Sequence, residues 1–212
     1  MKYSCFQLND LPDEILIIIF KTLASTEVLD SLAGVSKQFN RIAHDFVFTN
    51  HLIFLMIAPN GFAYPLPNPI LDRFCSHILP EIHQKIQWFE LESRSMKRTL
   101  LATAYPNLYG IILYNIEAET AINLFTDETS VICKLKNQIS ALVIDISTNE
   151  IQRFPVDGNA IIFTHIFTIF TNLQYLNFCP SSLGHQRLSF RTLPLTAIST
   201  NLLKLCLLGY FY

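Results

Sequence analysis

The sequence predicts an α/β fold in which an N-terminal unit of three short helices is followed by an irregular α/β solenoid with parallel strands. Three observations lead to this prediction. Residues from about 6 to 50 show helical periodicity, the next stretch is rich in proline, and residues from about 85 onward alternate short β-type runs with longer segments. A chain of 212 residues, 50% of them apolar, is long enough to bury the core that this fold requires.

The first helix is predicted from about Pro12 to Leu23. A proline is tolerated in the first turn of a helix, and Asp13 and Glu14 place negative charge at the positive end of the helix dipole. The apolar run "ILIIIF" that follows could instead be a buried strand, because isoleucine favours strands. The preceding proline and acids, and the helical spacing that continues to Leu23, favour the helix.

Two more helices are predicted before residue 50. Ser25 or Thr26 can cap a helix that continues through two leucines and ends near Gly34. Ser36 can cap the third helix. The apolar residues of this third helix recur at helical spacing on one face: Phe39, Ile42 and Ala43.

The first helix is too apolar to be covered by its own unit alone. Placed at 100° steps, the side chains from Ile15 to Phe20 occupy most of the circumference and leave a polar wedge for Glu14 and Lys21. Such a helix must be buried on more than one side, and a unit of about 40 residues has too little core to do this. We therefore expect a second covering for this helix.

A proline-rich stretch at residues 58–69 marks the predicted domain boundary. It contains four prolines and a glycine, which neither a helix nor a central strand tolerates. We predict a helical domain at residues 5–50, a linker with a helical connection at residues 51–84, and the solenoid at residues 85–212. The connecting helix includes the segment "LDRFCSHIL".

The second region carries a weak internal repeat. Four segments open with a polar residue and then alternate aliphatic residues, and their anchors are Asn107, Gln138, Asn172 and Asn201. The anchors are separated by 31, 34 and 29 residues. An earlier strand is predicted in "KIQWFELE" from Lys85, and helices are predicted at residues 117–129 and 160–170. Strand and helix alternating at about 30 residues describe an α/β solenoid with parallel strands on one face and helices on the other.

The final segment, "LLGYFY", follows the last predicted strand directly. Solenoids need a terminal cap with a polar outer face. Two alternatives remain open from the sequence: Tyr210, Phe211 and Tyr212 pack back as a cap, or the chain is a truncated form of a longer array.

Charge and cysteine usage limit the function classes. The chain has 15 basic and 17 acidic residues without a dense basic run, so we expect no nucleic-acid partner. No stretch resembles a signal peptide or a bilayer-spanning segment, so we expect no membrane association. The scattered cysteines suit a reducing compartment: Cys5, Cys75, Cys133, Cys179 and Cys206. We expect a cytoplasmic or nuclear protein.

No catalytic motif is present, and we expect neither catalytic activity nor a cofactor. Cys75, His77 and His83 resemble half of a metal site, but they flank an apolar helix without a second ligand pair, so we expect no metal. The charges of Asp13 and Glu14 are explained by the helix N-terminus. The many Phe and Tyr residues, and the single Trp88, are expected in the core.

The N-terminal unit resembles an F-box motif. The family pattern has a Leu-Pro pair, a Glu, aliphatic residues at helical spacing, a middle-helix Leu and a Val-Ser-Lys-x-aromatic segment. It matches this chain at Leu11, Pro12, Glu14, Ile15, Leu16, Ile19, Leu23, Leu29, Val35, Ser36, Lys37 and Phe39. The second region is similar to an irregular leucine-rich repeat array, although it lacks the Asn/Cys ladder of the strict repeat.

The resemblance implies that a Skp-type adaptor covers the first helix and connects the chain to a cullin. The protein would then be a non-catalytic substrate receptor of a ubiquitin ligase, binding an unknown protein target through the repeats. The residues expected to contact the adaptor are Leu11, Pro12, Ile15, Leu16, Ile19, Phe20, Val35, Lys37 and Phe39. The alternative is a non-catalytic protein-binding scaffold whose N-terminal helices only cap the solenoid.

Overall fold

Helices occupy the N-terminal part of the chain, and alternating strands and helices follow. The computed structural model describes residues 7–58, 63–127, 130–146, 158–179 and 201–207. The predicted α/β fold, with N-terminal helices followed by mostly parallel strands, is confirmed.

The helices of the described ranges follow each other with short turns in the N-terminal unit and with strands between them later. They are α1 (Asp13–Phe20), α2 (Ser25–Leu32), α3 (Lys37–Ala43), α4 (Phe46–Thr49), α5 (Asn68–Arg73), α6 (Leu79–Ile82), α7 (Ser93–Ala102), α8 (Ala118–Thr126) and α9 (Gly158–Ile169). A π-helical turn at Phe74–Ile78 joins α5 to α6, so the predicted helix around "LDRFCSHIL" is confirmed.

The strands form one sheet in the order β2-β1-β3-β4-β5-β6-β7. They are β1 (His51–Ile57), β2 (Ala63–Pro65), β3 (Trp88–Glu92), β4 (Gly110–Ile116), β5 (Ala141–Ile146), β6 (Tyr175–Cys179) and β7 (Lys204–Leu207). Among the strands of the described residues, only β2 is antiparallel to its neighbour. It lies at the edge, where Pro65 removes no interior hydrogen bond. The strand predicted near Lys85 and the four predicted later strands are β3 to β7.

Local sequence signals set the helix ends of the N-terminal unit. The hydroxyl of Ser36 accepts a hydrogen bond from the Phe39 backbone N–H at 3.1 Å, as the predicted cap requires. Gly34 has a φ of 82°, a left-handed conformation that glycine adopts without strain. Helix α1 ends three residues earlier than predicted, because Thr22 donates its backbone N–H to Ile19, three residues back, which tightens the final turn.

The strand register reproduces the predicted repeat spacing. Gly110 pairs with Ala141, Ala141 with Tyr175, and Tyr175 with Lys204, which gives steps of 31, 34 and 29 residues. The preceding strand, β3, pairs with β4 through Trp88 and Gly110, which gives a step of 22 residues. The later part of the chain therefore repeats one strand and one crossover per step. That this array is a leucine-rich repeat stays a prediction.

Side-chain amides connect successive steps of the array. The Asn107 amide donates to the Gln84 carbonyl at 2.6 Å, and the Asn172 amide donates to the Asn137 carbonyl at 2.8 Å. The Gln138 amide donates to the Leu108 carbonyl at 2.6 Å. The donors of these contacts, with Asn201, are the four anchors of the sequence repeat. The anchors thus satisfy carbonyls at the turns that enter each strand.

One face of the sheet is buried beneath the helices. Strand residues alternate between fully buried and half-buried positions, as a sheet covered on one side requires. The buried side belongs to one continuous hydrophobic core that includes residues of the N-terminal helices, such as Leu16 and Phe48, and extends to Phe178 in β6. The N-terminal helices therefore share their core with the sheet.

The parallel sheet begins earlier than we predicted. Strand β1 pairs with β3 through His51 and Trp88, although residues 51–84 are predicted as linker and helical connection. Its sequence "HLIFLMI" is nearly continuously apolar, which is typical of a strand buried on both faces and gives no alternating pattern. The remainder of that segment, from α5 to α6, is helical as expected.

Trp88 is not buried in the core, contrary to our prediction. Its side chain is half-buried on the other side of the sheet from the helices and lies over the backbone of Gly110. The rings of Trp88 and Tyr109 meet edge to face, with their centroids 5.3 Å apart. The expected packing of Tyr210, Phe211 and Tyr212 falls outside the described residues.

Candidate functional site

Helix α1 presents two apolar surfaces. Leu16 is fully buried and Phe20 is 5% exposed, and both face the core. Ile15, Ile18 and Ile19 are 43%, 64% and 40% exposed. At 100° per residue these three side chains form one arc of the helix, opposite the arc that faces the core. The exposed arc is what a partner could cover.

The residues predicted to contact an adaptor divide into exposed and buried sets. Five of them are exposed to solvent or lie at the edge of the exposed arc: Pro12, Ile15, Ile19, Val35 and Lys37. Leu11 is half-buried and packs against the core. Leu16, Phe20 and Phe39 are in the core, where the rings of Phe20 and Phe39 meet edge to face at 5.9 Å.

Polar contacts fix the start of α1 against α3. The Gln38 amide donates to the Asp13 carboxylate at 3.0 Å and to the Leu11 carbonyl at 3.1 Å. Arg41 pairs with the other oxygen of Asp13. These hydrogen bonds, first from Gln38 and then from Arg41, lower the pKa of Asp13 below its ordinary value. Asp13 therefore orients the exposed arc in addition to its expected role at the helix N-terminus.

Sequence reasoning missed several exposed apolar residues beside this arc. Ile18 is the most exposed large apolar side chain of α1, and the i, i+3, i+4 spacing of Ile15, Ile18 and Ile19 could have identified it. Other large apolar side chains of the N-terminal unit are also exposed: Leu8, Leu23 and Phe46. Phe46 follows Asp45, whose carboxylate caps the short helix α4 by accepting from the Val47 N–H at 2.9 Å. We define the exposed isoleucine surface as Ile15, Ile18 and Ile19.

The N-terminal unit is held to the rest of the protein by charged side chains as well as by the shared core. Arg73, at the end of α5, donates to the Asp30 carboxylate at 2.8 Å and to the Ala33 carbonyl at 3.2 Å. Lys85 donates to the carbonyl of His44 at 2.6 Å. Since these contacts satisfy the carboxyl ends of α2 and α3, they fix both helices relative to the sheet.

The half-buried side of the sheet forms a second candidate surface, which we call the open face. It is made of the strand residues that point away from the helices: His51, Ile53, Trp88, Glu90, Glu92, Gly110, Ile112, Tyr114, Ala141, Val143, Asp145, Tyr175, Asn177, Lys204 and Cys206. Burial raises the pKa of Asp145 above its ordinary value, although its carboxylate accepts a hydrogen bond from the Asn115 backbone.

Within the described ranges there is no group of three or more His, Cys, Asp and Glu side chains that could hold a metal ion. The Nδ1 atom of His77 lies 2.6 Å from the Ser76 hydroxyl, and that of His83 lies 2.8 Å from the Pro80 carbonyl. Burial raises the pKa of the Cys75 thiol. None of the helices in the described segments is long and apolar enough to cross a bilayer.

Comparison with known protein families supports the F-box resemblance of the N-terminal unit. The family model described as F-box-like matches residues 8–54, which include helices α1 to α4 and the first half of β1. Among curated proteins, none matches the chain. The match contains every residue on which we based the resemblance, and the repeat region after it has no family match. Residues 8–54 of this chain are an F-box-like domain.

Proposed function

We propose that the protein is a non-catalytic substrate receptor of a Skp-cullin-F-box ubiquitin ligase. In this proposal the F-box-like domain binds a Skp-type adaptor, the adaptor connects the chain to a cullin, and the repeat region binds a protein target. The family match at residues 8–54 supports the first step. The chain then acts by proximity, because it raises the concentration of its target near the ubiquitin-conjugating enzyme.

The exposed isoleucine surface is the observation that carries the proposal. Three isoleucines lie on one helical arc and form an apolar patch, and the most exposed of them, Ile18, is 64% exposed. Contiguous exposed apolar patches mark interaction sites in soluble proteins. A helix of the adaptor that packs against α1 would bury this arc. Pro12, Val35 and Lys37 are also exposed, and they belong to the same family motif.

The buried members of the predicted set have a supporting part in this proposal. Leu16, Phe20 and Phe39 hold α1 against the rest of the unit, so changing them would remove the exposed surface together with the fold. We therefore propose that these three residues support adaptor binding by holding α1 in place. Ile18 is added to the set because of its exposure.

The alternative, in which the helices only cap the solenoid, explains part of the structure. Buried residues of α2 and α4 share the core of the sheet, as a cap requires. A cap alone gives no reason for the exposed isoleucine surface, since that arc faces away from the sheet. For this reason we favour the receptor, which uses both sides of the unit.

Co-expression with a Skp-type adaptor tests the proposal. We expect the wild-type chain to co-purify with the adaptor, and the double variant Ile15→Asp/Ile18→Asp to lose the complex while its circular dichroism spectrum is unchanged. The matched control is Leu101→Asp, because Leu101 is 52% exposed on α7 and lies outside the F-box-like domain.

Two outcomes would contradict the adaptor proposal. One is a double variant that still co-purifies at the wild-type level. The other is a wild-type chain that is well folded and ignores the adaptor. Leu16→Asp serves as the reference for unfolding: because Leu16 is fully buried, we expect this change to remove both the helical signal of the unit and the complex.

A further inference from the structure

The open face has an uneven distribution of charge. Its central strands, β3 to β5, carry three acidic residues, Glu90, Glu92 and Asp145, and no lysine or arginine. The Glu92 carboxylate is already used, because it caps α7 by accepting from the Arg94 N–H at 2.9 Å. Glu90 and Asp145 are the other two carboxylates of this face.

Neither of these two carboxylates has a lysine or arginine partner in the described segments. Glu90 lies 2.8 Å from the Nε2 atom of His51, whose ring is charged only when protonated. Asp145 accepts from the Asn115 backbone at the irregularity in β4, and its burial favours the neutral acid. A cationic group placed beside either carboxylate would stabilise its charged form.

One contact within this face places a cation over an aromatic ring. The Nζ atom of Lys204 lies 5.5 Å from the centre of the Tyr175 ring, the geometry of a cation–π contact. Trp88 and Tyr114 are two further aromatic residues at half-buried positions of this face, and Tyr114 stands next to Glu92 in the register. Aromatic rings and carboxylates that lie on the same face of a sheet suit lysine and arginine side chains.

The spacing of the two carboxylates indicates an extended partner. Glu90 and Asp145 are two strands and two residues apart, which places their backbone positions roughly 12 Å from each other. One basic side chain cannot pair with both. A segment with two or more basic residues, laid across the strands, can pair with each of them and place apolar groups on Ile112 and Val143 between them.

We propose that the open face binds an extended protein segment that carries at least two lysine or arginine residues. This inference rests on the proposed function, because it gives the chemical class of the target that the repeat region recruits. The acidic residues of the face exclude a nucleic acid as the occupant, since phosphates would be repelled. A second copy of this chain and an uncharged apolar segment are the competing occupants.

The test uses the full chain purified with its adaptor and a displayed library of random peptides of about 12 residues, long enough in extended form to cross the sheet. We expect the selected peptides to be enriched in lysine and arginine. For the best peptide, made synthetically, we expect affinity to fall by about tenfold or more with Glu90→Gln/Asp145→Asn, and to fall with added salt for the wild type. The matched control is Glu119→Gln, which removes an exposed acid of α8 and should leave affinity unchanged.

Several results would overturn the inference: selected peptides without basic enrichment, no selected peptide, self-association through this face, or unchanged affinity in the double variant. Retained adaptor binding shows that the double variant is folded. The salt dependence of peptide binding by the wild type tests the contribution of charge without any variant. If the adaptor complex does not form, the proposed function fails, and the same selection with the chain alone still decides what the open face binds.

Discussion

Ile15 and Leu16 are neighbours in the chain and have opposite surroundings. Leu16 is fully buried, whereas Ile15 is 43% exposed on the arc that it shares with Ile18 and Ile19. The excess of isoleucine in α1 was readable from the sequence, and it led us to expect a second covering, which stays a prediction. The helical spacing groups Ile15, Ile18 and Ile19 on one arc. Which arc faces the core depends on where α3 and the sheet lie, and the sequence pattern does not contain that information.

Asp13 is predicted to stabilise the F-box-like domain in a pH-dependent way. Its pKa is lowered in the folded chain by Gln38 and Arg41, so its contribution is complete above the unfolded pKa of about 3.9 and is lost as pH falls through the folded pKa. We expect Asp13→Asn to lower the melting temperature near neutral pH, and the difference from wild type to shrink below about pH 4.

Thermal melts of both proteins across this pH range measure the effect of Asp13. Glu14→Gln is the matched control, because Glu14 is an exposed acid in the same first turn. A difference between Asp13→Asn and wild type that stays constant down to acid pH would refute the assigned role.

We predict that the position of the Trp88 ring requires a glycine at position 110. A methyl group at position 110 would meet the indole ring of Trp88, although alanine is otherwise preferred to glycine in a strand. We expect Gly110→Ala to lower the free energy of unfolding by about 1–3 kcal/mol, as overpacking does. Chemical denaturation of a double-mutant cycle measures this.

In that cycle, the cost of Gly110→Ala should nearly disappear in a Trp88→Ala background. An equal cost in both backgrounds would mean that the ring does not fill this space. The half-exposed position of Trp88 also shows why the sequence misplaced it: large aromatic residues are usually core, and only the neighbouring glycine provides the room for its ring on the open face.

At the scale of elements, the strands with alternating patterns were predictable, and β1 was not. Strands β4 and β5 show buried and half-buried residues in alternation, and polar residues interrupt their aliphatic runs at Asn115 in β4 and at Asp145 in β5. Strand β1 is an unbroken apolar run directly after a short helix, and α4 has only one turn. A run of this length has no period that separates strand from buried helix.

The side-chain amides of the four repeat anchors, which we call the amide ladder, are predicted to stabilise the stacking of the repeats. They belong to Asn107, Gln138, Asn172 and Asn201. Gln138 donates from one side-chain amide to the carbonyls of Tyr105 and Leu108, which lie in the previous step of the array. Gln138→Ala leaves both part-buried carbonyls without this donor. We expect a loss of about 1–3 kcal/mol in the free energy of unfolding, measured by chemical denaturation.

The control for the ladder is Gln174→Ala. Gln174 is an exposed glutamine just before β6, so its loss should change stability by less than about 0.5 kcal/mol. Equal stability of the two variants would mean that the side-chain hydrogen bonds of Gln138 do not raise the free energy of unfolding. The ladder itself was not predicted, although its donors were identified as repeat anchors, because amide contacts require the register that only the folded sheet provides.

At the scale of the whole molecule, the F-box-like domain and the sheet share one hydrophobic core. The family match ends at residue 54, inside β1, and β1 lies between β2 and β3 in the sheet. Cutting the chain after residue 57 would expose the sheet side of α2, α4 and β1. We predict that residues 1–57 alone show no cooperative thermal transition, whereas the full chain does.

Circular dichroism of the fragment and of the full chain under the same conditions measures this prediction. A fragment that melts cooperatively would show that the helical unit has a sufficient core of its own. The sequence indicated a boundary at the proline-rich stretch of residues 58–69, between two regions of different periodicity. Periodicity reports local structure and does not reveal that the core continues through the boundary.

The central claim is that the exposed isoleucine surface is covered by a Skp-type adaptor. The most direct measurement is the mass in solution, by light scattering coupled to size-exclusion chromatography, of the chain purified with and without the co-expressed adaptor. We predict a one-to-one complex with the adaptor and, without it, an aggregating chain, because the isoleucines remain uncovered. A monodisperse species of 24.3 kDa that is the same in both preparations would contradict the account.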